Sequence, residues 1–208
     1  MKEFCGDGVT VAQPLFQVEG QGSIPVSPLQ LEIEEISTDE AVMLNMKWHS
    51  RLPKITNPNM GHSICFGAIF KNCFFASAIW TDPIARAYNG TGRLELRRFA
   101  ISEYAPKNTA TRMISLMTKT IKKRFSDISM LISYQDTSVH SGTIYKASGW
   151  EVGGQTRNIG KGWNTRRRNE MQSSSDKIRW EKKIREKNEI QINKKIITKK
   201  NEQFEFLI

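Results

Sequence analysis

RLELRRFAISEYAPKNTATRMISLMTKTIKKRFSDISMLISYQD, residues 93–136, changes its period three times, and those changes predict the centre of the fold. Arg93 to Ile101 reads as a strand. After Pro106, the apolar residues Ala110, Met113, Ile114, Met117 and Ile121 recur at helical spacing. Lys119, Lys122 and Lys123 fall largely elsewhere on the wheel, so one helix face is core and the other wet. Ile128 to Tyr134 is then a near-continuous apolar strand. Strand, helix and strand in this order predict a right-handed crossover between parallel neighbours.

Working upstream, Leu31 to Ile36 alternates as a half-buried strand. Ser37-Thr-Asp-Glu40 is a capping box opening a helix through Ala41, Leu44 and Trp48. Pro53 and Pro58 impose a loop. Ile64 to Phe70 and Cys73 to Trp80, separated only by Lys71-Asn72, read as a hairpin of buried strands. Downstream, a helix from Ser138 to Ser148 closed by Gly149 is expected. Two strands should follow, Trp150 to about Asn158 and one carrying Ile178, Trp180 and Ile184. The order predicts an α/β domain over residues 31–184, with a mixed central sheet flanked by helices. An acidic, loosely ordered leader over 1–30 and a basic tail over 185–208 complete the expected organisation.

The net charge of +10 and pI near 9.6 on 208 residues are unevenly spread. Residues 1–40 carry Lys2 against Glu3, Asp7, Glu19, Glu32, Glu34, Glu35, Asp39 and Glu40, while basic pairs and triplets crowd the part beyond residue 155. Arg166, Arg167, Arg168, Lys182 and Lys183 are therefore candidate nucleic-acid contacts, with a solubilising basic surface as the bland alternative. No stretch approaches the roughly 20 apolar residues needed to span a bilayer. Glu3 and Asp7 interrupt the place where a signal peptide needs an apolar run, so no membrane partner and a cytoplasmic location are expected. Cys5, Cys65 and Cys73 form no CxxC pair and read as buried small hydrophobes, arguing against a disulfide framework or a cysteine-rich zinc site.

Two places could hold chemistry. The loop entering the central helix, with Lys107, Asn108, Thr109, Ala110, Thr111 and Arg112, offers backbone N–H groups and two cations to a phosphate, although every helix has an N-terminus. The second place runs from Tyr134-Gln-Asp136 to Ile144-Tyr145-Lys-Ala-Ser-Gly149-Trp150. The succession of strand, phosphate loop, helix, strand and a helix ending in Ile-Tyr-x-x-x-Gly-aromatic resembles the GNAT superfamily of N-acetyltransferases. That resemblance implies a GNAT-like domain using acetyl-CoA or a related acyl-CoA. It places Tyr145 beside the thioester sulfur, where it returns a proton to the thiolate. The superfamily's pyrophosphate loop carries glycine, whereas residues 106–112 have none, a departure that bears on acyl-CoA binding.

Trp48-His49-Ser-Arg-x-Pro53, Leu94-Glu-Leu-Arg97-Arg98-Phe99, Tyr134-Gln-Asp136 and Gly142-Thr-Ile-Tyr145 together resemble the bacteriophage Mom-type proteins. These share the acetyltransferase fold and modify adenine in DNA, adding a carbamoylmethyl-type group to its exocyclic amine so that restriction enzymes no longer cut. The resemblance implies catalytic roles for His49, Arg98 (or Arg97), Asp136 and Tyr145, a DNA partner, and an associated iron, for which His49 and Asp136, with His140, are the candidate ligands. Read by chemistry alone, His49 is a base, a ligand or a surface histidine, and Asp136 is a catalytic carboxylate or a cap. Arg97 and Arg98 alternate faces, so one of them is expected to need an acidic partner such as Glu95, Glu103 or Asp136. The expectation is a DNA-modifying group transferase, with two alternatives: an acetyl-CoA-dependent N-acetyltransferase acting on a protein or small amine, and a non-catalytic DNA-binding protein.

Overall fold

The computed structural model describes residues 24–49, 61–88, 90–156 and 175–186. Its elements are β1 (Glu32–Glu35), α1 (Thr38–Trp48), β2 (Ser63–Phe70), β3 (Cys73–Thr81), β4 (Arg93–Ile101), α2 (Thr109–Arg124), β5 (Met130–Asp136), α3 (Thr143–Ala147), β6 (Glu151–Thr156) and β7 (Lys177–Lys183). The strands form one sheet in the order β1-β2-β3-β4-β5-β7-β6. The expected α/β architecture is observed.

Local chemistry sets most boundaries. Ser37 and Glu40 exchange the hydrogen bonds of a capping box at the start of α1. Lys71 and Asn72 both take positive φ, 47° and 65°, the backbone of a two-residue turn whose twist matches the strands of the β2–β3 hairpin. All five apolar residues of the helical pattern in α2 are buried, and Met113, Ile114, Met117 and Ile121 are wholly so. They pack on Leu94 and Leu96 of β4 and Leu131 of β5, which assigns those positions to the α2 face of the sheet. α1 lies on the opposite face, where Ala41 and Leu44 pack with Ile79 of β3.

β4 and β5 are parallel neighbours only from Arg93 and Met130 to Leu96 and Ser133. Beyond that point β4 stays with β3 and β5 stays with β7, so the sheet opens. A bulge sits where it opens: Ile79 pairs with Arg98 and Trp80 with Leu96, leaving Arg97 as the extra residue. The bulge also resets the alternation. Without it Arg98 would follow Leu94 and Leu96 onto the α2 face; with it Arg98 faces the same side as its partner Ile79, towards α1. The expectation that Arg97 and Arg98 simply alternate faces is corrected accordingly.

The helix expected from Ser138 begins instead at Thr143, and the difference has a local cause. Asp136 O accepts from the N–H groups of Val139 and His140, closing a turn, and Gly142 at φ +74° then starts the short α3. At its other end Gly149, φ +68°, donates to Lys146 O while Trp150 N donates to Tyr145 O, the paired bonds of a Schellman stop. Of the cysteines, Cys65 is buried and free, and burial pushes its thiol up to about 11. Cys73 is disulfide-bonded, contrary to the expectation, with its partner outside the described residues. Among the described residues no helix is long and apolar enough to cross a membrane. Cys5, the Pro53 and Pro58 loop, Arg166, Arg167, Arg168 and the tail from residue 187 onward lie outside the described residues.

Candidate active site

Where β4 and β5 part, the structure opens a cleft of about 510 Å³. Its walls come from four elements: Trp48 and His49 from the end of α1, Arg97 to Ile101 from β4, Ser133 to Asp136 from β5, and Val139 to Tyr145 from the turn and α3. Ala110 from the start of α2 and Lys177 from β7 also line it. His49, Arg98, Asp136 and Tyr145 therefore share one cleft, although 96 positions separate the first from the last in the sequence.

Tyr145 is the most enclosed of them, 7% exposed. Its ring stacks on Trp180 at 5.5 Å and meets Trp150 edge-on at 5.5 Å. Its hydroxyl lies 2.9 Å from Ser133 Oγ, which also donates to Leu96 O at 3.3 Å. If Ser133 spends its one proton on that carbonyl, the Tyr145 hydroxyl donates to Ser133 Oγ and its own oxygen keeps an acceptor position. Burial raises the Tyr145 pKa, outweighing the opposing effect of the Ser133 hydrogen bond.

His49 is the C-cap of α1, its N–H donating to Asn45 O at 2.8 Å. Its ring pKa is lowered, first by burial and then by the positive charge of Arg98 and by His140. Arg98 donates to Arg97 O at 2.9 Å, and burial lowers its pKa. No ion pair joins it to Asp136 among the described residues. The nearby acid is Glu95, 6% exposed and held at higher than usual pKa by burial, which accepts from Ile84 N at 3.1 Å. Asp136 Oδ1 accepts from Ser138 N and Ser138 Oγ, at 2.9 and 2.6 Å, so the carboxylate builds the turn that ends at the cleft.

The helix-entry loop is preserved by a substitute for glycine. Asn108 takes the left-handed conformation, φ 68°, which asparagine tolerates better than other side-chain-bearing residues. Thr109 N bonds Pro106 O and Arg112 N bonds Asn108 O, whereas Ala110 and Thr111 offer their N–H groups with no backbone acceptor. No acidic residue occupies the first turn, and Arg112 Nε is buried without a hydrogen-bond partner. This is a chemistry suited to phosphate oxygens.

Other expected contacts are placed differently. Lys182 donates to Ser148 O and Gly149 O, closing the end of α3, and Lys183 pairs with Glu186 at 2.7 Å, so both are engaged within the chain. The iron site does not assemble: among the described residues no three His, Cys, Asp or Glu side chains gather to hold a metal, and one Asp136 oxygen is spent on Ser138. Ser133 and Lys177 were not singled out by sequence. The only signal for Ser133 was a hydroxyl in an otherwise apolar strand, and Lys177 had none.

A family profile described as the Mom protein family matches residues 30–208. No curated protein matches the chain. Among solved structures, an Escherichia coli ribosomal-protein-S18-alanine N-acetyltransferase matches with TM-score 0.55 at 14% identity, over 76% of this chain and 97% of that one. A Bacillus subtilis acetyltransferase in complex with CoA gives 0.54 at 13% identity, over 74% and 99%. A Staphylococcus aureus N-acetyltransferase gives 0.53 at 11% identity, also over 74% and 99%. The fold is that of the GNAT acetyltransferases.

Proposed function

The chain belongs to the Mom protein family, and from that premise we propose that it is a group-transfer enzyme that modifies the exocyclic amine of adenine in DNA, protecting phage DNA from restriction. The observation that carries this reading is the single cleft lined by His49, Arg98, Asp136 and Tyr145 at the opening between β4 and β5. Open α/β sheets take their ligands at such carboxyl strand ends.

The adenine amine is a poor nucleophile because its lone pair is delocalised into the ring, so its proton must leave as the new bond forms. His49 suits that task, since burial and Arg98 favour the neutral imidazole that accepts a proton. Arg98 spends one N–H on Arg97 O and has others for the oxyanion that develops when the group transferred is an acyl group, or for the amide oxygen of a carbamoylmethyl group, which joins the amine through its methylene carbon and forms no such oxyanion. The Tyr145 hydroxyl, kept protonated by burial, can return a proton to a leaving group when Ser133 is the donor of their 2.9 Å contact and the tyrosine O–H is turned to the cleft. Asp136 fixes the wall of the cleft through its turn. The amine of a paired adenine is inaccessible, so the base must be extruded first.

An acyl-CoA, whose CoA part is the ligand of the B. subtilis neighbour, would supply an activated acyl group when bound. The free N–H groups of Ala110 and Thr111, with Lys107, Asn108, Thr109 and Arg112 around them, would hold its pyrophosphate. The acetyltransferase fold favours a second reading, N-acetylation of a protein or small amine. Mass analysis of nucleosides from DNA of cells making the protein separates the readings: added mass on deoxyadenosine is expected. Unmodified deoxyadenosine alongside an acetylated protein or amine would favour the second, and neither product would leave a DNA-binding protein without catalysis.

A further inference from the structure

Leu96 and Ser133 are the last pair in register between β4 and β5, so Ser133 stands where the sheet begins to open. It is 1% exposed, a hydroxyl set among apolar neighbours, and it lines the cleft together with Tyr145. Its Oγ has two possible acceptors within reach, Leu96 O at 3.3 Å and the Tyr145 oxygen at 2.9 Å. Among the described residues Ser133 is the only hydrogen-bond partner of the Tyr145 hydroxyl. The tyrosine ring itself is held by its stack on Trp180 and its edge contact with Trp150.

A serine hydroxyl has one hydrogen to give and two lone pairs with which to accept. In one arrangement Ser133 donates to Leu96 O and Tyr145 donates to Ser133 Oγ, so two bonds form and no tyrosine proton faces the cleft. In the other Ser133 donates to the Tyr145 oxygen and the tyrosine O–H turns to the cleft. Only the two O–H bonds rotate between them. The first makes more bonds within the protein and is favoured until an acceptor in the cleft takes the tyrosine proton. Once that proton has left, the order reverses. A phenolate is an ionised acceptor, bonds to charged groups are the stronger ones, and Leu96 O is the more distant choice.

We propose that Ser133 is a positioning residue acting through Tyr145. Its hydroxyl turns from Leu96 O to the tyrosine, directs the tyrosine proton at the leaving group, and then bonds the phenolate left behind. The inference rests on the reading that Tyr145 returns a proton to a leaving group, and it is independent of which amine is the acceptor. In the step the Tyr145 O–H bond breaks, the leaving atom's electron pair takes the hydrogen, and the negative charge passes to the phenolate oxygen. With an acyl-CoA donor that atom is the thiolate sulfur. The phenolate then recovers, by way of solvent, the proton that His49 removed from the amine, so the turnover neither gains nor loses one. Burial resists the negative charge on Tyr145, and the Ser133 hydrogen bond is the influence that opposes burial.

The test reads the tyrosine directly, with no cofactor or acceptor present. The full chain is made with fluorotyrosine at its four tyrosines, which brings their ionisation to lower pH, and the Tyr145 signal in fluorine NMR is the one missing from Tyr145→Phe. Ser133→Ala should raise the Tyr145 ionisation midpoint by about one pH unit or more, the worth of a hydrogen bond to a charged group. In unlabelled protein it should lower kcat about tenfold or more with KM little changed. Ser133→Thr keeps the hydroxyl and should restore both. Ser133→Cys, a weaker donor of similar shape, should fall between, and it decides the point if the alanine variant does not fold. An unmoved midpoint, or a raised midpoint with parental kcat, would overturn the role of Ser133. A Tyr145→Phe protein that transfers at the parental rate would instead overturn the reading of Tyr145 as proton donor on which that role rests.

Discussion

Tyr145 and Asp136 show how one side chain can carry structure and chemistry at once. Phenylalanine at 145 keeps the stack on Trp180 and the edge contact with Trp150, and removes only the hydroxyl that meets Ser133. Tyr145→Phe should therefore cost about 1 kcal/mol of stability and at least about a hundredfold of rate, measured as adenine modification and thermal melting on the same protein. Asp136→Asn retains an Oδ1 that can accept from Ser138, whereas Asp136→Ala removes it. If the charge acts in catalysis, Asn loses rate with near-parental melting. If the residue only builds the turn, Asn stays active and Ala loses about 1–2 kcal/mol.

The depressed pKa of His49 sets a pH dependence with a definite sign. Native protein resists protonation of this ring, so the base form persists as pH falls below 6.5, its ordinary value, and the acid limb of the rate profile lies below that pH. The unfolded chain binds the proton more readily, so stability is undiminished above pH 6.5 and is lost as pH falls through it. Arg98 is one of the causes of the depression, and Arg98→Gln should move the acid limb to higher pH. A variant that is slower but keeps the parental limb would mean that Arg98 serves the substrate without tuning His49.

At the scale of elements, the position of α3 depends on the close approach at Gly142. A Cβ there would lie 2.4 Å from Gln135 Oε1 and 2.7 Å from Trp180 Cζ2, with φ at +74°. Gln135 cannot swing aside readily, because it is 4% exposed, accepts from Trp180 Nε1 at 2.7 Å and donates to His140 O. Gly142→Ala should cost about 2 kcal/mol or more, a melting decrease of about 5 °C or more for a chain of this size. It should lower activity beyond that loss, because Tyr145 rides on the helix that moves. Unchanged melting would show that the turn relaxes freely.

For the whole molecule, the cofactor reading predicts a ligand-dependent stability. If residues 107–112 hold the acyl-CoA pyrophosphate, acetyl-CoA at 100 times its dissociation constant should stabilise the native state by about 2.7 kcal/mol through mass action. Asn108→Gly should keep that shift, since glycine adopts the same backbone, and Arg112→Gln should reduce it. No rise in melting temperature at millimolar acetyl-CoA would point to a different group donor.

The sequence by itself determined the elements and their order. The period of Ala110 to Ile121 fixes a helix face, Ser37 and Glu40 fix a start, and Lys71-Asn72 fixes a hairpin, all by contacts within a few residues. Motif resemblance also made His49, Arg98, Asp136 and Tyr145 legible as site candidates before any geometry. Only the tertiary structure decided that β7 lies between β5 and β6, that α3 begins at Thr143, and that the bulge at Arg97 turns Arg98 towards α1. It also paired Tyr145 with Ser133, occupied Lys182 at the end of α3, and placed Lys177 on the wall of the cleft. The physical reason is range. Periodicity and caps are set by neighbours along the chain, whereas a strand's place in the sheet, a bulge's effect on which side a residue faces, and the partner of a buried hydroxyl depend on residues distant in sequence.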